Sequence, residues 1–111
     1  MTLLRGDLVT VAAKGPYTGK PRPALVIQAN ETLPHRDSVT LCLLTADLID
    51  ASLFRVRIEP DSANGLRQAS DVMADKVLTV PRSVVSAEPF GHLSRADLAR
   101  VDEALRFWLG L

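Results

Sequence analysis

A lone cysteine, Cys42, leaves no partner for an internal disulfide, and two isolated histidines add no spacing that would frame zinc, so no metal or other cofactor is expected. Charge of one sign is missing too. Thirteen Lys and Arg balance thirteen Asp and Glu to a formal net charge of zero, which argues against a chain that coats nucleic acid through a broad basic face, because affinity of that kind comes from neutralising phosphates. No window approaches the eighteen apolar residues of a membrane span. Charged residues within the first seven positions interrupt any apolar stretch long enough for a secretory signal, so the expected location is the cytoplasm. What is present is ordinary: 111 residues, 47% apolar and 23% charged, enough for one domain over residues 1–111 with a single core.

The most informative stretch is Gly19-Lys20-Pro21-Arg22-Pro23 running into Ala24-Leu25-Val26-Ile27-Gln28. Pro23 disfavours helical geometry at Arg22 and fixes its own φ, so the guanidinium enters at the start of a short buried strand on a stiffened backbone. Before it, Asp7 to Ala12 alternates as a first strand, and 14–20 is a loop marked by Gly15-Pro16 and Gly19, with Tyr17 in its middle. Residues 29–37 form a polar loop carrying Pro34, His35 and Arg36. Ser38 to Leu44 is apolar on both alternating sets, the mark of a strand covered on both sides, with Cys42 as a small core residue and Thr45 at the strand end.

Phe54-Arg55-Val56-Arg57-Ile58-Glu59 alternates cleanly, which predicts a strand with three apolar residues inward and three charges facing water. Asn64-Gly65 is a chain-reversing turn, and Ser70 to Val80 a long strand. Asp75 shares a side with Met73 and Val77, so it is either a buried acid with a partner or the sign of a bulge. Ser94 with Asp97 caps a helix from Arg95 to Gly110, whose stripe is Leu98, Val101, Leu105 and Trp108, with Arg100, Asp102, Glu103 and Arg106 facing water. The spacing of short strands predicts a small, strongly curved, mainly antiparallel barrel of five to seven strands with a C-terminal helix.

In order and spacing, Arg5-Gly6-Asp7-Leu8-Val9-Thr10-Val11, Lys20 to Gln28, Leu43-Leu44-Thr45, Ser70 to Val80 and Val101 to Leu105 together resemble the MazF/PemK toxins of type II toxin-antitoxin systems, across nearly the whole chain. The resemblance implies an SH3-like barrel of the PemK/CcdB kind. It also implies a metal-independent endoribonuclease that cuts single-stranded RNA at short recognition sequences, leaves a cyclic phosphate and a 5′-hydroxyl, works as a homodimer and is held inactive by a cognate antitoxin. The family's catalytic arginine and threonine match Arg22 and Thr45 in motif.

Arginine suits such a site because its planar donors grip two phosphate oxygens and stay charged, and a threonine hydroxyl adds one more donor. The structural readings stand beside these: Arg22 as a surface ion pair, and Thr45 as a turn or cap residue. Members of the PemK branch carry a catalytic histidine in the first loop and an arginine two residues before an aspartate. Here the aspartate matches Asp75, but Met73 holds the arginine's place and no histidine lies in 14–20, so the likeness is to the MazF branch and the general base is unassigned. Asp75 either orients Arg22 or is a core acid paired with a backbone amide. His35 is an acid-base residue or a solvated loop histidine. Tyr17 is a stacking platform for a base or a lid on the core, and Lys20, with Lys14, Arg36, Arg55 and Arg57, is among the local cations available to RNA. Two rivals remain at this level: a gyrase-poisoning toxin of the same fold, suggested by the loosely similar tail Trp108-Leu109-Gly110-Leu111, and a non-catalytic binding module.

Overall fold

The computed structural model describes residues 2–12 and 21–111. Six strands and one helix follow in order: β1 (Asp7–Val11), β2 (Arg22–Val26), β3 (Ser38–Thr45), β4 (Arg55–Ile58), β5 (Ser70–Pro81), β6 (Gly91–His92) and α1 (Arg95–Leu109). They form one antiparallel sheet in the order β4-β5-β3-β2-β1-β6. The sheet is curled, as the alternation and turn spacing predict. Fully extended, the twelve residues of β5 would reach about 36 Å at roughly 3.3 Å per step, which exceeds the 32 Å longest dimension of the molecule.

β5 bends where its pairing slips. Between the pairs Cys42↔Val77 and Leu44↔Val72, one residue of β3 stands against four of β5, 73–76. Extra residues on one strand disrupt the ladder locally and turn the chain. The N-terminal part of β5 thus pairs with both β3 and β4, while the rest continues along β3 alone.

Both faces of the sheet are covered. On one, Leu8, Leu25, Cys42, Leu44, Val56, Ile58 and Val72 pack against Val101, Ala104 and Leu105 of α1. On the other, Val9, Ala24, Val26, Val39 and Leu41 are covered by Leu3, by Leu33 of a short 3-10 turn and by Val85. Fully buried Cys42 and the double-sided burial of β3 follow the sequence pattern.

The helix begins and ends as its caps dictate: Ser94 Oγ accepts from the Asp97 N–H at 3.1 Å, and Gly110 takes a left-handed conformation at φ 72°. Two details of its faces differ from the pattern. Trp108 is half exposed and tilts against Phe54 at 5.2 Å between ring centroids instead of entering the core. Asp102, on the face expected to meet water, binds Arg5 Nη2 at 2.6 Å, while Arg5 Nε donates to the Ile27 carbonyl, so this pair fastens α1 to the sheet.

β4 brings the main correction. Its outward side is only partly wet: Glu59 is exposed and the Arg57 side chain is 40% exposed beside the buried Asp71, but Arg55 is only 12% exposed and lies against Asp75. Alternation identifies which side of a strand is apolar, but the opposite side here meets carboxylates carried by β5, which local pattern does not reveal.

Candidate active site

The apolar surface beneath Leu33 and Val85 gives way at one end to polar side chains, and cross-strand register explains why. Continuing the Ala24↔Leu43 pairing by two residues on each strand sets Arg22 opposite Thr45. Thr45 in turn pairs with Asp71, and Asp71 with Arg57. Residues directly opposite in antiparallel strands share a face, so one row across β2, β3, β5 and β4 reads Arg22, Thr45, Asp71, Arg57. The next pair on that side is Met73↔Arg55. Beside this row lies a cleft of about 410 Å³ lined by Arg22, Leu43, Thr45, Asp47, Ile49, Arg55, Met73 and Lys76.

Arg22 opens β2 between two prolines and is exposed. Among the described residues it has no ion-pair partner, so the surface-pair reading is not realised there. Thr45 ends β3, and its Oγ1 accepts the Asp47 N–H at 3.0 Å. That bond makes Thr45 a turn residue, yet it uses only an oxygen lone pair and leaves the hydroxyl hydrogen available to a phosphate oxygen. The two roles weighed for Thr45 are compatible.

The loop after Thr45 is pinned from below. Asp71 accepts from Arg57 Nε at 2.6 Å through one oxygen and from the Ile49 N–H at 3.3 Å through the other, while Arg57 Nη2 donates to the Ile49 carbonyl at 3.2 Å. Hydrogen bonding to Asp71 raises the Arg57 pKa further above its usual range. Asp71 thereby fixes Ile49 at the edge of the cleft.

Asp75 does not reach Arg22. Its two oxygens accept from Arg55 Nε at 2.7 Å and Nη2 at 3.0 Å, a bidentate pair. Arg55 holds the Asp75 carboxyl below the usual carboxylate range, chiefly through this hydrogen bonding. Asp75 thus has the partner its inward position demanded and also lies on a bulge; that partner is Arg55, not Arg22, with a lesser contribution from its own backbone N–H. Met73 stands opposite Arg55 in the pairing of β5 with β4, and Arg55 reaches the aspartate from that neighbouring strand. The sequence flagged Arg55 only as a local cation. A signal was present in its position on a strand destined to pair with the one bearing Asp75.

His35 lies elsewhere. With Arg36, Asp37 and Thr79 it lines a separate cleft at the opposite end of β3 from Thr45, and seven strand steps of about 3.3 Å put roughly 23 Å between Ser38 and Thr45. Tyr17, Lys20 and Lys14 fall outside the described residues. Cys42 offers no nucleophile: burial, first, and the nearby Asp75 charge push its thiol up to about 12.

The cleft presents three cations, Arg22, Arg55 and Lys76, one carboxylate, Asp47, a hydroxyl, and an apolar side formed by Leu43, Ile49 and Met73. Such a surface takes a phosphodiester on the cationic side and a sugar or base on the apolar side.

Comparison with known proteins agrees with this architecture. The pattern of the PemK-like, MazF-like toxins of type II toxin-antitoxin systems matches residues 4–109. A probable endoribonuclease MazF from Mycolicibacterium smegmatis is 48% identical over 107 residues, 96% of each chain. Among solved structures, Mycobacterium tuberculosis toxin MazF-mt6 superposes with a TM-score of 0.76 at 24% identity over 93% of this chain and 96% of its own. A MazE-MazF structure from Deinococcus radiodurans gives 0.79 at 22% identity, over 100% of this chain and 98% of that one.

Proposed function

Since the chain belongs to the PemK-like, MazF-like toxins of type II toxin-antitoxin systems, we propose that it is a cytoplasmic, metal-independent endoribonuclease that cuts single-stranded RNA and is neutralised by an antitoxin. The observation that carries this reading is the convergence of Arg22 and Thr45, from separate strands, on one cleft. In the proposed reaction the ribose 2′-oxygen attacks the adjacent phosphorus in line. The bond from phosphorus to the 5′-oxygen breaks, giving a 2′,3′-cyclic phosphate and a 5′-hydroxyl. The 2′ proton leaves as attack begins, and the departing 5′-oxygen takes one up. Arg22 spans two phosphate oxygens as negative charge grows on them, and the Thr45 hydroxyl donates to one of these oxygens.

One exposed surface supports a partner. The last turn of α1 exposes Phe107, Trp108 and Leu109, and Leu111 follows its cap, an apolar surface of the kind that a second copy of the chain covers. An acidic antitoxin segment laid along the seam of that homodimer competes with RNA phosphate for Arg22 and its cationic neighbours. The tail that suggested a gyrase poison has uses within this fold, since Trp108 packs on Phe54 and Gly110 caps α1.

The deciding experiment incubates the pure protein with a long unstructured RNA in excess chelator, then repeats it with a 2′-deoxy sugar at the cut site. Cleavage in chelator that the 2′-deoxy sugar abolishes is expected, with Arg22→Ala folded and inactive. Activity that returns only with added magnesium, or a folded Arg22→Ala protein within a few-fold of wild type, would overturn the mechanism.

A further inference from the structure

We propose that Arg55 is a second phosphate-binding residue of the cleft and that Asp75 is the residue positioning it. The inference deepens the ribonuclease reading and rests on it. Arg55 lines the same cleft as Arg22, Thr45 and Lys76. Its Nε and Nη2 are both engaged by Asp75. Among the described residues Nη1 has no hydrogen-bond partner. Three of the five guanidinium N–H groups, two on Nη1 and one on Nη2, are therefore left unengaged by Asp75, on a plane that is already set.

The two arginines are held differently. Arg22 is exposed on a strand start, whereas the Arg55 side chain is 12% exposed and locked to a second strand. A donor fixed before substrate arrives needs no ordering when charge develops, and a locked guanidinium loses less freedom on contact than an exposed one. Charge bookkeeping points the same way. Asp75 offsets much of the Arg55 charge, so Arg22 and Lys76 supply most of the attraction and Arg55 supplies direction. Asp75 stands two residues after Met73 on the same side of β5, and Arg55 stands opposite Met73, so the two side chains meet across the strands. An ion pair that merely ties β4 to β5 predicts no dependence on substrate charge.

The test is a double-mutant cycle between protein and RNA. Wild-type protein first cuts a long unstructured RNA to locate a cleaved linkage. An oligonucleotide spanning it then carries a 2′-O-methyl sugar that blocks cleavage and a single neutral methylphosphonate, placed in turn at the cleaved linkage and at each neighbour. Wild type should lose about tenfold in affinity at one of these three positions, as expected for removal of a charge-assisted contact. Arg55→Gln should lose less than about twofold at that position while keeping the wild-type losses elsewhere. Asp75→Asn should weaken the dependence at the same linkage, and Arg55→Lys, which keeps charge without the fork, should fall between wild type and Arg55→Gln. Should Arg55→Gln alone fail to fold because Asp75 is left unpaired, Arg55→Gln combined with Asp75→Asn replaces it in the cycle. Equal methylphosphonate losses in wild type and variant at all three positions overturn the role of Arg55 alone. No cleavage of any RNA by wild type overturns the ribonuclease reading and this inference with it.

Discussion

RNA affinity of this protein should respond weakly to salt, and the cleft sets the size of the response. Neutralising Z phosphates of a single strand gives a slope of log affinity against log salt of about −0.7Z, so contacts from Arg22, Arg55 and Lys76 correspond to at most about −2, because Asp75 offsets part of the Arg55 charge. Between 50 and 200 mM salt that is about a twentyfold loss. A contribution from Lys20 would steepen the slope to about −3. The net charge of zero leaves little long-range attraction beyond these groups.

Removing Arg22 should flatten the slope by about 0.7 and reduce the loss over that range to about sevenfold. The assay is fluorescence anisotropy with a labelled RNA blocked at its cut site by 2′-O-methylation, titrated at four or more salt concentrations for wild type and Arg22→Ala. A wild-type slope of about −4 or steeper would mean a broad basic footprint that the cleft does not account for. An unchanged slope in Arg22→Ala would show that its guanidinium releases no counterion and does not touch phosphate.

The reading of Arg22 and Thr45 as a pair came from the family resemblance. Local features gave only their places, two prolines fixing the backbone around Arg22 and a strand end placing Thr45, and the antiparallel register that sets them opposite belongs to the fold. Arg55 was less legible because its partner lies twenty residues away on a strand whose pairing slips by three residues, and no local pattern encodes that slip. His35 shows the converse. Its residue type suits acid-base chemistry, but it precedes β3 whereas Thr45 ends it, so strand length separates them. Asn64 was legible as a turn residue beside Gly65, whose φ of 67° favours glycine. Its complete burial was not legible, because that arises from packing against β6.

Thr45→Val should slow cleavage in the same direction as Arg22→Ala but less, since it removes one neutral donor; equal single-turnover rates for wild type and Thr45→Val would refute the hydroxyl contact. Asn64 binds the Asp61 and Leu66 N–H groups and the Glu59 carbonyl while fully buried. Its replacement by alanine should therefore cost about 3 kcal/mol, read as a lower urea midpoint at unchanged slope. Cys42 should not react with a thiol reagent at pH 8 until the protein is denatured, and rapid labelling of the native chain would contradict its burial. Acid should act through Asp75. Arg55 depresses its folded-state pKa below the ordinary value, near 3.9 in an unfolded chain. A carboxyl shifted in that direction contributes its full stabilisation above the unfolded value and loses it as pH falls through the folded one, because the unfolded chain binds the proton first. Urea midpoints of wild type should consequently drop between about pH 5 and pH 2 by more than those of Asp75→Asn, which has no proton to gain at this position. Asp75→Asn should be the less stable protein at pH 7, with the gap closing toward pH 2. If both proteins lose the same stability across that window, the Arg55 pair contributes nothing to folding, and a role for Asp75 would have to rest on its effect on RNA alone.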